Sequence, residues 1–157
     1  ARRRIAGRIR ATPAYPSPAL SAAIGRPTAV KLETLQIGGS FKVRGGFNKM
    51  LQMSDEERAK GVVTVSGGNH AIATAQVAGL LGVSALVLMP KATPAFNVRL
   101  TQAGGADVEL CEDAAEAFAK AEAYAAQGRI FVHPYDDPAI IAGHGTLGLE
   151  LLEAVED

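Results

Sequence analysis

Two short motifs, about one helix apart, carry the residue types best suited to chemistry. The first, Gly-Ser-Phe-Lys-Val-Arg-Gly-Gly at residues 39–46, places Lys42 just inside a predicted helix start. The positive end of the helix dipole and burial beside Phe41 both disfavour the charged form of a lysine. Because a lysine with a lowered pKa can act as an imine-forming nucleophile, Lys42 is a candidate catalytic residue. The alternative is a surface lysine on an amphipathic helix.

The second motif, Ser-Gly-Gly-Asn-His, occupies residues 66–70 between a predicted strand at residues 62–65 and a helix. Free backbone amides at a helix start, together with a serine hydroxyl and an asparagine amide, can bind a carboxylate or a phosphate. The alternative is that these residue types serve only the geometry of a strand-to-helix turn. An imine-forming lysine that faces an anion-binding turn is typical of pyridoxal-phosphate chemistry on an amino acid.

Other patterns favour no second chemistry. Residues 143–148 match the dinucleotide fingerprint G-x-G-x-x-G, but they do not directly follow a predicted strand, so a nicotinamide site is not favoured. His133 and His144 lack partners at metal-ligand spacing, and Cys111 is the single cysteine. We therefore predict no metal site and expect both histidines to be packing or capping residues.

Composition limits the partners and the compartment. The 157 residues carry 16 basic and 16 acidic side chains, and this zero net charge argues against nucleic-acid and membrane partners. A single cysteine excludes an internal disulfide, and no charged-then-apolar leader is visible, so a cytoplasmic protein is predicted. Five arginines are predicted to form the solvated face of an N-terminal helix: Arg2, Arg3, Arg4, Arg8 and Arg10.

The apolar pattern predicts an α/β fold with a parallel sheet flanked by helices. Short apolar runs without clean polar alternation, separated by helical stretches, are typical of a parallel sheet covered on both faces. The predicted strands are residues 62–65, 85–89, 107–110 and 130–132, and the helices between them are residues 71–81, 94–103 and 113–127. A strand at residues 29–33 is also predicted, preceded by a proline-rich extended connection at residues 11–18.

Local features of three helices are predicted from the same pattern. Ser40 is expected to cap a helix that buries Val43, Phe47, Met50 and Leu51. The helix at residues 113–127 is expected to place Glu116 and Lys120 as an outer ion pair. Its inner face is expected to consist of Ala114, Phe118, Ala121 and Ala125.

The last helix is expected to begin at Pro138 and to run through Leu147, Leu151 and Val155. Acidic residues near its end oppose the helix dipole, which suggests an arbitrary end to the chain. These residues are Glu153, Glu156 and Asp157. An exposed apolar face is expected at Ile140, Leu147 and Leu151.

Taken in order, six motifs resemble the threonine dehydratase and serine racemase group of the fold-type II pyridoxal-phosphate enzymes, the tryptophan synthase beta-like fold. The resemblance extends over nearly the whole chain and is specific for the group. The motifs are Lys-Leu-Glu at residues 31–33, Gly-Ser-Phe-Lys-Val-Arg-Gly-Gly at 39–46, Val-Val-Thr-Val-Ser-Gly-Gly-Asn-His at 62–70, Met-Pro-Lys-Ala-Thr-Pro at 89–94, His-Pro-Tyr-Asp-Asp-Pro at 133–138 and Ala-Gly-His-Gly-Thr at 142–146.

The resemblance implies a role for each matching residue. Lys42 resembles the lysine that binds the cofactor as an imine and moves the Cα proton. Phe41 resembles the residue packed against the pyridine ring, and Asn69 the asparagine bonded to the phenolic oxygen. The residues implied in substrate binding are Ser66, Gly67, Gly68, Asn69 and His70.

The resemblance also implies how the chain is divided. Residues 61–138 would form the small mobile domain, and residues 1–60 and 139–157 would belong to the large cofactor domain. The glycine-rich phosphate loop and the partner of the pyridine nitrogen would follow Asp157, so the sequence resembles an N-terminal half and is expected to be inactive by itself. A homo-oligomer is expected for the full-length protein.

The implied reaction is β-elimination on a hydroxy-amino acid such as threonine or serine, giving a 2-oxo acid and ammonia. Serine racemases carry a second serine where Gly67 stands, so its missing hydroxyl favours elimination over racemisation. The alternatives are another fold-type II lyase, such as a hydroxyectoine-utilisation dehydratase or a diamino-acid ammonia-lyase, or a non-catalytic piece that retains the fold.

Overall fold

The computed structural model describes residues 1–154. The first part of the chain contains α1 (Arg2–Ile5), β1 (Ala14–Pro16), α2 (Pro18–Ile24), β2 (Ala29–Lys31), α3 (Lys42–Met50) and α4 (Asp55–Lys60). The alternating part contains β3 (Val62–Val65), α5 (Asn69–Leu81), β4 (Ala85–Pro90), α6 (Ala95–Ala103), β5 (Asp107–Cys111), α7 (Ala114–Ala126) and β6 (Ile130–Phe131). Two helices follow, α8 (Pro138–His144) and α9 (Thr146–Ala154).

The main sheet has the strand order β5-β4-β3-β6, and all its pairings are parallel. Val62 of β3 pairs with Ala85 of β4 on one side and with Ile130 of β6 on the other. The predicted α/β fold with a parallel sheet is therefore confirmed, and the four strands lie at the predicted places. The whole sheet falls within residues 61–138; the domain division itself stays a prediction.

Alternate residues of β3 face opposite sides of the sheet, as the two-residue period of a strand requires. Val62 packs in a cluster with residues of α3 and α5, whereas Val63 and Val65 pack with Ala117 and Ala121 of α7. All four residues of β3 are buried. The helices therefore cover both faces, which explains why the strands are apolar throughout.

The inner face of α7 differs from the prediction. Ala117 and Ala121 are buried and Phe118 packs against them, but Ala114 is exposed and Ala125 is half-buried. Alanines lie on every side of this helix, so the apolar pattern does not mark one face clearly. The predicted outer ion pair is confirmed, because Lys120 Nζ lies 2.9 Å from Glu116 Oε1.

The predicted cap at Ser40 is wrong. Helix α3 begins at Lys42 with Phe41 at the N-cap position, and Ser40 Oγ is buried without a hydrogen-bond partner in the described part of the chain. Gly38 and Gly39 adopt φ values of 74° and 71°, which leave Ser40 extended one residue before the cap. The predicted burial of Val43, Phe47 and Met50 is confirmed, and Leu51 is half-buried.

The N-terminal part differs in two details. Helix α1 ends at Ile5, before Arg8 and Arg10, because Gly7 turns the chain with a φ of 73°. The proline-rich connection contains β1, which pairs antiparallel with β2. Pro16 is tolerated there because a strand edge does not need its amide.

The expected last helix is two helices that meet at Gly145. Ile140 is fully buried and Leu147 and Leu151 are half-buried, so the expected exposed face was misplaced. The exposed apolar side chains of this segment are Ile141, Leu149 and Leu152. Val155, Glu156 and Asp157 lie outside the described residues. Within residues 1–154, no helix has both the length and the apolar character needed to cross a bilayer.

Candidate active site

The candidate site lies at a point where the strand order of the sheet reverses. From β3 the chain continues to β4 and β5 on one side, and then returns to place β6 on the other side of β3. Crevices outside the carboxyl ends of strands at such a switch point commonly bind ligands. The residues that follow β3 are the 66–70 turn, and those that follow β6 include His133 and Pro134.

Lys42, the first residue of α3, reaches this switch point. Its Nζ lies 3.5 Å from the carbonyl oxygen of Pro134, which follows β6, and 5.1 Å from the ring centroid of Phe41. Burial lowers the pKa of the Lys42 amine, in the direction that the sequence predicted. A lysine with a larger neutral fraction is a better nucleophile and proton acceptor.

The 66–70 turn presents an open helix N-terminus. Helix α5 begins at Asn69 with Gly68 as N-cap, and no side chain caps it. The amides of Asn69, His70 and Ala71 are in the first helical turn, where no intrahelical acceptor is available. A Cβ at Gly68 would meet no atom within 4 Å, so the turn is open on that side. The turn can therefore bind an anion through its amides.

The imidazole ring of His70 is held through its Nε2 atom. Nε2 lies 3.0 Å from Thr64 Oγ1, and this hydroxyl donates to the carbonyl oxygen of Val132 at 2.6 Å. Because the threonine proton is already used, Nε2 is the protonated nitrogen and donates to Thr64. Burial lowers the pKa of His70 to about 4, so the ring is neutral at pH 7. The buried imidazole links the start of α5 to the ends of β3 and β6.

His144 and Phe41 form the wall beside Lys42. The rings of Phe41 and His144 meet edge to face with centroids 5.0 Å apart. A Cβ at Gly45 would lie 2.5 Å from His144 Nε2, so any larger residue at this point of α3 would displace the His144 ring. Burial, followed by the nearby Lys42 charge, lowers the pKa of His144 to about 4. As the sequence predicted, His144 is a packing residue in the described structure.

His133 and the G-x-G-x-x-G match also behave as packing and capping elements. His133 Nδ1 accepts a hydrogen bond from the amide of Asp136 at 2.9 Å, and its ring packs edge to face on Tyr135. Residues 143–148 span the junction of α8 and α9 and do not follow a strand. Neither feature therefore has the structural context of a second ligand site.

Arg44 is a residue that the sequence reasoning missed. Its guanidinium is completely buried and hydrogen-bonds to Glu33 at 2.8 and 2.9 Å and to Glu150 at 2.6 and 2.9 Å. Glu150 is also paired with Lys31 Nζ at 2.7 Å. This network joins α3 to α9 and to the segment after β2. Its central residue, Arg44, lies two residues beyond Lys42. A buried arginine carries no distinctive sequence signal on an otherwise amphipathic helix.

The network shifts the pKa values of its members. Burial alone would raise the pKa of Glu33, but hydrogen bonds from Arg44 and Thr12 outweigh burial and lower it. The hydrogen bond from Arg44 is the largest cause that lowers the pKa of Glu150. Burial would lower the pKa of Arg44, yet its two carboxylate partners raise it. The network is therefore fully ionised at neutral pH.

The sequence reasoning assigned no role to two residues near the start of α6, Thr93 and Asn97. Asn97 Nδ2 donates to the carbonyl oxygen of Gly67 at 2.8 Å. Thr93 Oγ1 lies 2.6 Å from the point where a Cβ at Gly67 would stand. Both residues are distant from the turn in sequence, and only the packing of α6 on α5 brings them to it.

The sequence-predicted residues lie on two helices that pack against each other, α3 and α5. Lys42 begins α3 directly after Phe41, and the 66–70 turn leads from β3 into α5. The Asn69 side chain is exposed at the first position of α5. The cofactor and substrate roles of all these residues stay predictions.

The family model for pyridoxal-phosphate dependent enzymes matches residues 5–157. This chain belongs to that family. It is 44% identical over 156 residues to an L-threonine ammonia-lyase of Geobacter sulfurreducens, covering 98% of this chain and 39% of that protein.

Solved structures of the family have the same fold. Maize serine racemase matches with a TM-score of 0.92 and 34% identity, covering 98% of this chain and 47% of that one. The processed form of threonine deaminase isoform 2 from Solanum lycopersicum matches with a TM-score of 0.87 and 36% identity, covering 95% and 42%. The resemblance stated from the motifs is confirmed. The chain spans about two fifths to one half of the length of these relatives.

The residues of the candidate site fit the cofactor of this family. Lys42 has the lowered pKa of an imine-forming amine, and the Phe41 ring lies beside it. The open side of Gly68 and the uncapped start of α5 leave space and donors for a carboxylate beside such a cofactor. Pyridoxal-phosphate is therefore the cofactor that these residues suit.

Proposed function

We propose that this chain carries the lysine and the carboxylate-binding turn of a pyridoxal-phosphate-dependent ammonia-lyase. The substrate is a hydroxy-amino acid such as threonine or serine, and the products are a 2-oxo acid and ammonia. The observation that carries the proposal is the approach of Lys42 Nζ to Pro134 O after β6, the strand beside β3, which itself leads into the uncapped start of α5. The names of the relatives support the reaction class.

Each residue of the candidate site has a proposed role. Lys42 holds the cofactor through Nζ, Phe41 packs against its ring, and Asn69 hydrogen-bonds its phenolic oxygen. Four residues are proposed to receive the substrate carboxylate: Ser66, Gly67, Gly68 and His70. Asn69 lies at the edge of this group. Backbone amides carry most of this binding, because the neutral ring of His70 is already engaged with Thr64.

Proton transfer is assigned to Lys42. When bound, pyridoxal phosphate supplies an electron sink for the charge that develops at the substrate Cα. Lys42 Nζ removes the Cα proton, and its lowered pKa keeps a larger fraction of the amine neutral and able to accept it. Gly67 offers no side-chain hydroxyl, which favours elimination over racemisation.

We also propose a cytoplasmic location and a homo-oligomer for the full-length protein. The single cysteine, Cys111, is buried and free, which suits a reducing compartment. The division into residues 1–60, 61–138 and 139–157 belongs to the same proposal.

The test uses the full-length protein with added pyridoxal phosphate. An absorbance band near the visible edge should form, and borohydride should remove it and fix the cofactor mass on the peptide that contains Lys42. The Lys42→Arg variant should lose the band and the release of 2-oxo acid. Lys49→Arg, on the same helix, should retain both. Cofactor fixed on another lysine would contradict the proposal.

Substrate choice is tested on the same protein. Threonine and serine should release a 2-oxo acid and ammonia at rates well above that of a diamino acid. Preference for a diamino acid would instead favour the related lyase alternative. A full-length protein that binds the cofactor but turns over none of these would contradict the assigned reaction.

A further inference from the structure

The peptide bond between Gly67 and Gly68 is held at both ends. Asn97 Nδ2 donates to the Gly67 carbonyl oxygen at 2.8 Å, and the Gly68 amide donates to Ser66 Oγ at 3.1 Å. The carbonyl and amide of a planar trans peptide point in opposite directions. These two side chains therefore fix the rotation of this peptide plane. The plane immediately precedes the free amides of α5.

The donor on α6 is itself rigidly placed. A Cβ at Gly79 would lie 2.6 Å from the Gly104 carbonyl oxygen, and a Cβ at Gly104 would lie 2.9 Å from the Ala75 Cβ. Helices α5 and α6 therefore approach closely just beyond the end of α6. Near the start of α6, the hydrogen bond from Asn97 to Gly67 connects the same two parts of the chain. A contact presented by two closely packed helices keeps its geometry better than one on a free loop.

Thr93 limits the space on the other side of the same glycine. Its Oγ1 lies 2.6 Å, and its Cβ 3.5 Å, from the point where a Cβ at Gly67 would stand. The Thr93 amide donates to Pro90 O at 2.8 Å, which closes a turn between two prolines and fixes its backbone. The Thr93 side chain therefore fills the volume that a side chain at position 67 would need.

We propose that the start of α6 completes the carboxylate-binding site. Asn97 is a positioning residue that orients the 66–70 turn, and Thr93 sets the space beside Gly67. The inference rests on the proposed function, in which this turn receives the substrate carboxylate. It adds Asn97 and Thr93, which are 30 and 26 positions from Gly67 in sequence, to the determinants of substrate affinity.

The first test removes the Asn97 donor. Asn97→Ala should leave the Gly67–Gly68 plane free to rotate, and should weaken carboxylate binding about two- to twelvefold, the range of one net hydrogen bond. The matched control is Gln102→Ala, which removes an exposed amide from the same helix. The KM for the amino acid should rise by a similar factor, while kcat changes less than about twofold, because Lys42 lies on another helix.

The second test is a double-mutant cycle at Gly67 and Thr93. Gly67→Ala should weaken carboxylate binding, because the new Cβ meets the threonine hydroxyl. Thr93→Ala removes Oγ1 and the methyl group and leaves the Cβ at an ordinary contact distance. The double variant should therefore bind better than Gly67→Ala alone, a coupling that general destabilisation does not produce.

The probe is propionate, which has a carboxylate but no amino group and so tests the turn apart from the cofactor bond. Its Kd is measured by calorimetry on the full-length protein loaded with pyridoxal phosphate, and the Lys42 absorbance band and the Tm report folding. An unchanged Kd in Asn97→Ala, or no coupling in the cycle, would overturn this inference alone. If the unmodified protein forms the band but does not bind propionate, the carboxylate role of the turn fails, and the inference fails with it.

Discussion

Arg44 makes a two-point ion pair with Glu33, with Nε to Oε2 at 2.9 Å and Nη2 to Oε1 at 2.8 Å. The guanidinium is completely buried two residues beyond Lys42, so the first turn of α3 is fixed by a contact inside the protein. Bidentate arginine–carboxylate pairs add geometric restraint as well as energy. The position of the catalytic candidate therefore depends on a network that contains no cofactor-binding group.

The first prediction concerns the loss of this arginine. Arg44→Ala should lower the free energy of unfolding of the full-length protein by about 3–5 kcal/mol, because Glu33 and Glu150 would both lose the buried arginine that neutralises them. Denaturant unfolding measures the change. The control Arg99→Ala, at an exposed position, should change it by no more than about 0.5 kcal/mol. Similar losses in both variants would show that the buried network is not a special source of stability.

The sheet could be predicted because its signal is local. Each strand of the main sheet is a short apolar run between helical stretches, and the observed bounds differ from the predicted ones by no more than one residue. Lys42 and the 66–70 turn could also be predicted, because each is a contiguous motif beside a recognisable element boundary. Signals of this kind do not require knowledge of the packing.

The missed features depend on contacts between distant parts of the chain. Arg44 meets Glu150, and Asn97 meets Gly67, only after the helices have packed. The prediction of a cap at Ser40 was wrong because two glycines with positive φ displace the helix start by one residue. The observed N-cap residue is Phe41, whose side chain does not cap the helix. The inner face of α7 was misassigned because alanine marks no face. Tertiary context decided the cases of Arg44 and Asn97, whereas local backbone geometry and composition decided the other two.

The second prediction concerns the close crossing of α3 and α8. A Cβ at Gly143 would lie 2.5 Å from the Arg44 carbonyl oxygen and 2.6 Å from the Gly45 Cα, and backbone atoms cannot move aside cheaply. Gly143→Ala should therefore lower the free energy of unfolding by about 1–3 kcal/mol or more. It should also weaken the Lys42 absorbance band, because α3 must shift.

The matched control for this crossing is Gly148→Ala on α9. A Cβ there would meet no atom within 4 Å, so the substitution should stabilise the helix by about 0.5–1 kcal/mol. Thermal unfolding of both variants gives the comparison. If Gly143→Ala were as stable as Gly148→Ala, the helices would not cross as closely as described.

The third prediction is a loss of stability in mild acid that depends on His70. Burial lowers the pKa of His70 from 6.5 to about 4 in the folded state, so between these values the unfolded chain binds the extra proton. Stability from this group is fully present above pH 6.5 and is lost as the pH falls towards 4. A shift of this size corresponds to a loss of order 3 kcal/mol.

The measurement is the free energy of unfolding of the full-length protein from pH 7 to pH 4.5. The His70→Asn variant, which does not titrate in this range, should show a smaller decrease than the unmodified protein, whatever its stability at pH 7. Parallel curves for the two proteins would show that His70 is solvated and is not the source of the pH dependence.

The fourth prediction compares the amine of Lys42 with that of Lys60. Burial lowers the pKa of Lys42, whereas the hydrogen bond and charge of Glu56 raise the pKa of Lys60. The amine of Lys42 should therefore become reactive at a lower pH. Labelling the cofactor-free protein with a trace acylating reagent across pH 7–11, and measuring each peptide by mass spectrometry, gives both midpoints.

The midpoint is the deciding quantity because it is independent of access. Partial burial slows the reaction of Lys42 with the reagent at every pH, but it does not move the pH at which the neutral form appears. The Lys42 midpoint should stay below the Lys60 midpoint at every salt concentration. High salt should lower the Lys60 midpoint, because it screens the charge of Glu56. A Lys42 midpoint at or above that of Lys60 would remove the electrostatic support for Lys42 as the imine-forming residue.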